Sequence, residues 1–347
     1  MITKKELEFT LELPPHYDPA KVAGVWRAPY SQRAEEATLW AEKHHIKPAA
    51  MDDPRIALLI VDTQNTFCLP EFELFVGGRS GMGAVEDTRR VCEFIYRHLH
   101  RISKIIATLD THQAVQIFHA IYLVDAQGKH PAPMTQVSYE DIVQGKWKFN
   151  PNLVDSLGIT AEEGQQHLLY YVQSLKKKGK FDLTIWPYHA MLGGIGHALV
   201  SSLEEALFFH TIARNQQVDF EIKGENPQTE HYSAIRPEIM ADAKGKKVGE
   251  DNSKFLHLVE EYDAVIVAGQ AKSHCVAWTI EDLLEDIQKI NPQLAKKVYL
   301  LEDCMSAVVI PGVVDYTDEA EAAFRRFAAA GMQRVLSTQP IEDWMEM

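Results

Sequence analysis

The feature that most constrains this chain is a series of short, largely apolar runs, rich in β-branched residues, separated by longer amphipathic stretches. Ile56-Ala57-Leu58-Leu59-Ile60-Val61 is the first, and the runs at 105–109, 264–268 and 298–301 repeat it. They are too short for helices, and uninterrupted apolarity is how a strand buried on both faces reads. Leu183-Thr184-Ile185 and Phe220-Glu221-Ile222 are weaker runs of the same kind. Between the runs, Val91, Ile95, Leu99 and Ile102 share one face of a helix predicted over about 84–103. Val276, Ile280, Leu283, Leu284 and Ile287 mark a second helix, and residues 318–330 a third, closed by Gly331. Alternating strands and helices specify the α/β class: three layers, α/β/α, around a mostly parallel, doubly wound sheet. Residues 1–53, with Pro14-Pro15 and a helical stretch near 31–45, read as an N-terminal extension. Residues 54–347 read as one domain. Within it 113–182, carrying Pro131, Pro133 and Gly145, is expected as an insertion capping the strand ends.

Composition excludes several classes. A formal net charge of −14 argues against a nucleic-acid backbone or an anionic membrane as partner. No stretch approaches the ~20 apolar residues of a membrane span. Met1-Ile2-Thr3-Lys4-Lys5-Glu6 turns charged at once, so no secretory signal is expected. The four cysteines, Cys68, Cys92, Cys275 and Cys304, form no C-x-x-C pair, which fits a reducing cytoplasm.

Parallel sheets bind ligands beyond the carboxyl ends of their strands. Residues there are Asp62, Asp110-Thr111-His112, Lys223-Gly224, Gly269-Gln270 leading to Cys275, and Glu302-Asp303. A thiol between a strand and a helix meets the positive end of the helix dipole, which favours thiolate. Cys275 taken alone is as readily a buried structural residue, Asp62 a helix cap, and Lys223 a surface lysine. Together they supply a nucleophile, a base for its proton, and a cation that keeps the base ionised. Asp110 and His112, at i and i+2 on a strand, face one side and suit a divalent metal; His189, His119 and His130 are further candidates. Gly193-Gly194-Ile195-Gly196 lacks the third glycine spacing and the acidic partner of a dinucleotide loop, so neither NAD nor flavin is expected.

These residues resemble the isochorismatase-like cysteine hydrolases, and among them the nicotinamidases. Four blocks carry the likeness across about 55–340: 60–67; Thr108-Leu109-Asp110-Thr111-His112 with Trp186-Pro187-Tyr188-His189; Ile222-Lys223-Gly224 with Tyr232-Ser233-Ala234; and 268–276 with Thr279. The resemblance implies a triad of Asp62, Lys223 and Cys275. It implies a divalent metal (zinc, with iron or manganese as alternatives) on Asp110, His112 and His189, with His119 as a fourth ligand. It also implies a cis peptide at Gln270–Ala271, an oxyanion hole of the Ala271 and Cys275 amides, and a ring pocket of Phe67, Trp186 and His274. The implied reaction is nicotinamide plus water to nicotinate and ammonia, in NAD salvage, by a homo-oligomer. The same triad on another small amide or ureido compound, or an idle metal-holding scaffold, stays open. The chain departs from the family at Ala190, where a cysteine is usual, at Lys272-Ser273, and in the long 112–189 interval.

Overall fold

The computed structural model describes residues 10–344; residues 1–9 of the expected extension, and 345–347, lie outside the described residues. A six-stranded sheet is made of β1 (Ile56–Val61), β2 (Ile102–Asp110), β3 (Asp219–Lys223), β4 (Ala264–Gly269), β5 (Val298–Leu301) and β6 (Gln333–Val335). Their spatial order is β3-β2-β1-β4-β5-β6. The pairs β1–β2, β1–β4, β4–β5 and β5–β6 are all parallel. The order therefore runs outward in both directions from β1 and β4, and the doubly wound architecture expected from the sequence is found.

Both faces of the sheet are covered. Ile56, Leu58 and Ile60 of β1 join Ile266 of β4 in one core with α1 (Tyr30–Lys43), α2 (Gly83–Arg97) and α4 (Ser201–Arg214). The alternate residues Ala57, Leu59, Val265 and Val267 are equally buried but stand outside that core. Period-two side-chain alternation turns them to the opposite layer, where α5 (Lys254–Glu261) packs on β4. Beside it, α6 (Ala277–Ile290) packs on α5 and on α7 (Thr317–Ala329). This is why β1 and β4 contain no polar residue.

The contacts divide the chain into two compact units. Among the described residues, one holds 10–109, 198–221 and 253–344; the other holds 110–197 and 222–252. The stretch 113–182 lies wholly in the second unit. That unit contains two short antiparallel pairs, Leu123–Val124 with Lys148–Phe149 and Gln136–Val137 with Leu183–Thr184. It also contains α3 (Ala161–Lys178), which opens on a Thr160/Glu163 capping box and closes on left-handed Gly179.

Three expectations are corrected in detail. The helix expected over 84–103 stops at Arg97, and Ile102 opens β2 instead, paired with Ile56. Val276 lies in a π-helical turn, Lys272–Val276, ahead of α6. Leu183–Thr184 belongs to a two-stranded pair, not to the main sheet, because its partner is Gln136–Val137. Sequence patterning leaves α3, α4, α5 and β6 unassigned. Among the described residues no helix is long and apolar enough to cross a membrane.

Candidate active site and metal centre

In the first unit, β1 and β4 are neighbours whose final residues pair, Val61 with Gly269. The crossovers leave them in opposite directions, so this is the topological switch point, where ligands of open α/β sheets bind. Asp62 follows β1 there. It is wholly buried and holds φ = +43°, a left-handed conformation that non-glycine residues adopt at a cost. Thr108 clamps it twice: its hydroxyl donates to Asp62 Oδ1 at 2.5 Å and accepts the Asp62 N–H at 3.0 Å. Sequence reasoning did not single out Thr108 as a partner. Its signal is the one hydroxyl within the apolar run 105–109, near the end of the strand beside β1.

After β4 the chain makes a cis Gln270–Ala271 peptide, as the resemblance implied, then the π-helical turn carrying Cys275. A side chain at Gly269 is excluded: φ is +114°, and a Cβ would lie 2.1 Å from the Val61 carbonyl oxygen. The Gln270 side chain donates to Asp87 Oδ2 at 2.9 Å, and the Lys272 N–H donates to the Ser306 carbonyl at 2.8 Å, fixing both sides of the Ala271 unit. The Ala271 carbonyl accepts the His274 and Val276 N–H groups at 3.0 and 3.2 Å. Its own N–H donates to no group among the described residues. Lys272, at a departure from the family, pairs with Glu302 and Glu321, and Arg334 pairs with the same two carboxylates.

Cys275 and Phe67 are each 7% exposed. Burial pushes the thiols of Cys68, Cys92 and Cys304 well up, which makes them poor nucleophiles. His274 is buried against the edge of the Tyr316 ring, with Nδ1 2.8 Å from the Ser273 hydroxyl; burial lowers its pKa to about 4, so the ring is neutral.

The second unit holds the polar cluster. Asp110, the last residue of β2, has Oδ2 2.7 Å from His112 Nε2 and 3.6 Å from His189 Nε2. The strand itself ends at Asp110; His112 is held by a bridge to Met191 rather than by a shared strand face. One ligand atom from each of Asp110, His112 and His189 lies within 4.8 Å of the others, and all three residues are buried. Burial alone would raise the Asp110 carboxyl, but the His112 ring and the Lys223 ammonium outweigh it and hold the group well below the usual carboxylate range. Lys223 donates to Asp110 Oδ1 at 2.8 Å and to the His231 carbonyl at 2.9 Å.

This set suits a divalent metal. One carboxylate and two imidazoles are borderline-hard donors typical of zinc, iron and manganese sites. His119 Nε2 is buried with no hydrogen-bond partner, its ring centroid 5.8 Å from that of His189 and 6.0 Å from that of His112. At Gly224 a Cβ would meet His112 Cε1 at 2.7 Å and Asp110 Oδ1 at 3.0 Å, so only glycine leaves the cluster intact. His130 hydrogen-bonds the Leu123 carbonyl at 2.7 Å and is not part of the cluster. Trp186 is buried, and its indole N–H donates to the Tyr232 hydroxyl at 2.9 Å. Glu230 and His231 were missed by sequence reasoning. Glu230 is buried and His231 half-buried, and Glu230 Oε2 and His231 Nε2 have no hydrogen-bond partner. No periodicity or spacing marks them; only their place next to Tyr232 could have.

No family model and no curated protein sequence matches the chain. Solved structures do. The yeast nicotinamidase bound to the inhibitor nicotinaldehyde matches at TM-score 0.50 and 16% identity, covering 81% of this chain and 99% of its own. A second structure of the yeast nicotinamidase gives 0.49 and 18%, with 81% and 99% covered. A nicotinamidase/pyrazinamidase from Acinetobacter baumanii gives 0.46 and 18%, with 82% and 97% covered. The fold, a mostly parallel sheet between helices, is thus one shared with a nicotinamidase.

Proposed function

We propose that the chain is a cysteine amidohydrolase that converts nicotinamide and water to nicotinate and ammonia through a thioester on Cys275. The observation that carries this reading is the switch point. A strained, clamped carboxylate follows β1, and the thiol stands after β4 beyond a loop whose Ala271 N–H is unengaged. The yeast structure of the same fold holds nicotinaldehyde, a pyridine carbonyl compound.

In this reading Asp62 takes the Cys275 thiol proton, and Lys223 is the cation of the triad. The sulfur forms a bond to the amide carbon, and the Ala271 and Cys275 N–H groups hold the oxyanion. Asp62 returns the proton to nitrogen as the C–N bond breaks and ammonia leaves. It then takes a proton from the water that attacks the thioester, and the C–S bond breaks to free the carboxylate. Phe67, Trp186 and His274 are the proposed walls for the ring. Asp110, His112 and His189, with His119 as a fourth donor, would hold a divalent metal of the zinc, iron or manganese type. When bound, that ion supplies a Lewis-acidic point for a ring nitrogen and so orients the substrate. The test is ammonia release from nicotinamide, pyrazinamide, benzamide and a ureido compound, with and without a chelator. Fastest release from nicotinamide, lost on chelation and restored by zinc, iron or manganese, is expected. Release from none of the panel would overturn the reading.

A further inference from the structure

We propose that the first unit carries an effector site for an organic oxyanion, separate from the switch point and hydrogen-bonded to it. A cavity of about 600 Å³ lies between the C-terminal half of α2 and the turn at 337–340. That volume is in the range of pockets that take small organic ligands. Three arginines line it. Arg89 is paired with Glu93 at 3.1 Å, and Arg90 with Asp87 at 2.9 Å. The Asp303 carboxylate is taken up by the Ser337 N–H and hydroxyl at 2.8 and 2.6 Å. The guanidinium of Arg97 has no ion pair or hydrogen bond among the described residues, so the wall of the cavity holds one guanidinium whose donors are unspent. His98, also in the wall, is 1% exposed, yet its Nδ1 has no hydrogen-bond partner. A half-buried guanidinium and an unsatisfied buried imidazole beside one cavity match an oxyanion that would satisfy both.

The cavity also has a hydrogen-bonded route to the Cys275 loop. Arg90 lines it and donates to Asp87 Oδ1; Gln270 donates to Asp87 Oδ2 at 2.9 Å; and Gln270 is the residue whose peptide leads into Ala271. An anion that draws on Arg90 changes what Asp87 offers Gln270, and by linkage a ligand at one end alters the other. This second part rests on the reading of Cys275 as nucleophile; binding in the cavity does not.

Calorimetric titration of the full chain with adenosine monophosphate, benzoate and inorganic phosphate tests the site and separates a phosphate source from a carboxylate one. One of the two organic anions is expected to bind more tightly than inorganic phosphate. Its affinity should fall tenfold or more in Arg97→Ala and by less in Arg97→Lys, which keeps the charge without the fork. No heat from either organic anion, or equal affinity in wild type and Arg97→Ala, would overturn the site. The coupling is read as the iodoacetamide alkylation rate of Cys275, followed by peptide mass spectrometry, with and without saturating anion. A change of at least threefold is expected in wild type. It should vanish in Asp87→Asn, whose single carbonyl oxygen cannot serve Arg90 and Gln270 as two carboxylate oxygens do. An alkylation rate indifferent to bound anion would overturn the effector role.

Discussion

At the scale of single residues, the account turns on how Asp62 is held. Its left-handed backbone and its two hydrogen bonds to Thr108 point the carboxylate in one direction. Thr108→Val keeps the shape and removes both bonds. A hydrogen bond to a charged group is worth about 1.5–3 kcal/mol, so a loss of roughly 10- to 100-fold in kcat/KM is expected. The acidic limb of the pH profile should also move to higher pH, because the ionised form loses a donor. Wild-type activity with an unmoved limb would mean that the clamp has no bearing on Asp62. Asp110 and His112 were legible in the sequence because their spacing is local, and Cys275 because it stands between a strand and a helix. The pairing of Lys223 with Asp110, the Thr108 clamp and the burial of Glu230 were not legible. Each depends on which strand lies next to which, and that is set by the sheet order, not by neighbours in the chain.

At the scale of elements, the strands buried on both faces were read almost to the residue. β1 and β5 coincide with their apolar runs because nothing but burial decides them. β6 escaped notice because only Val335 of its three residues is buried. α4 is not marked in the sequence although it is long, because it buries Ser201, Ser202, Glu205, His210 and Arg214 beside its apolar residues and so presents no clean apolar stripe. The junction of β4 with the Cys275 loop is where element and site meet. At Gly269→Ala the new methyl has no room beside the Val61 carbonyl, and the φ of +114° is hostile to any side chain. Destabilisation of at least about 2 kcal/mol, measured by urea unfolding, is expected together with loss of activity. A midpoint within experimental scatter of wild type would show that the β1–β4 ends are looser than described.

At the scale of the whole molecule, buried histidines set the response to acid. Burial lowers the pKa of His98 to about 3 and those of His210 and His274 to about 4, against an ordinary value near 6.5. The unfolded chain therefore binds protons that the folded chain refuses. Their contribution is fully present above about pH 6.5 and is lost as pH falls from there toward 3–4. Glu230 works the other way: burial raises it to about 8, so its contribution is lost as pH rises from about 4.5 to 8. Burial raises Asp87, Glu204 and Glu205 as well, but it also lowers His16 and His100 to about 4 and His231 to about 3. With the histidines in the majority, the urea midpoint is expected to be lower at pH 4.5 than at pH 6.5, and His210→Gln should flatten the slope. A midpoint constant over that range would contradict the burial of these rings.

The most direct test of the central claim is ammonia release from nicotinamide by the purified wild-type chain and by Cys275→Ala, with folding of the variant checked by circular dichroism. The expected result is turnover by the wild type and a loss of about 10⁴-fold or more in a folded variant. Turnover by Cys275→Ala within tenfold of the wild type would contradict a thioester on that sulfur.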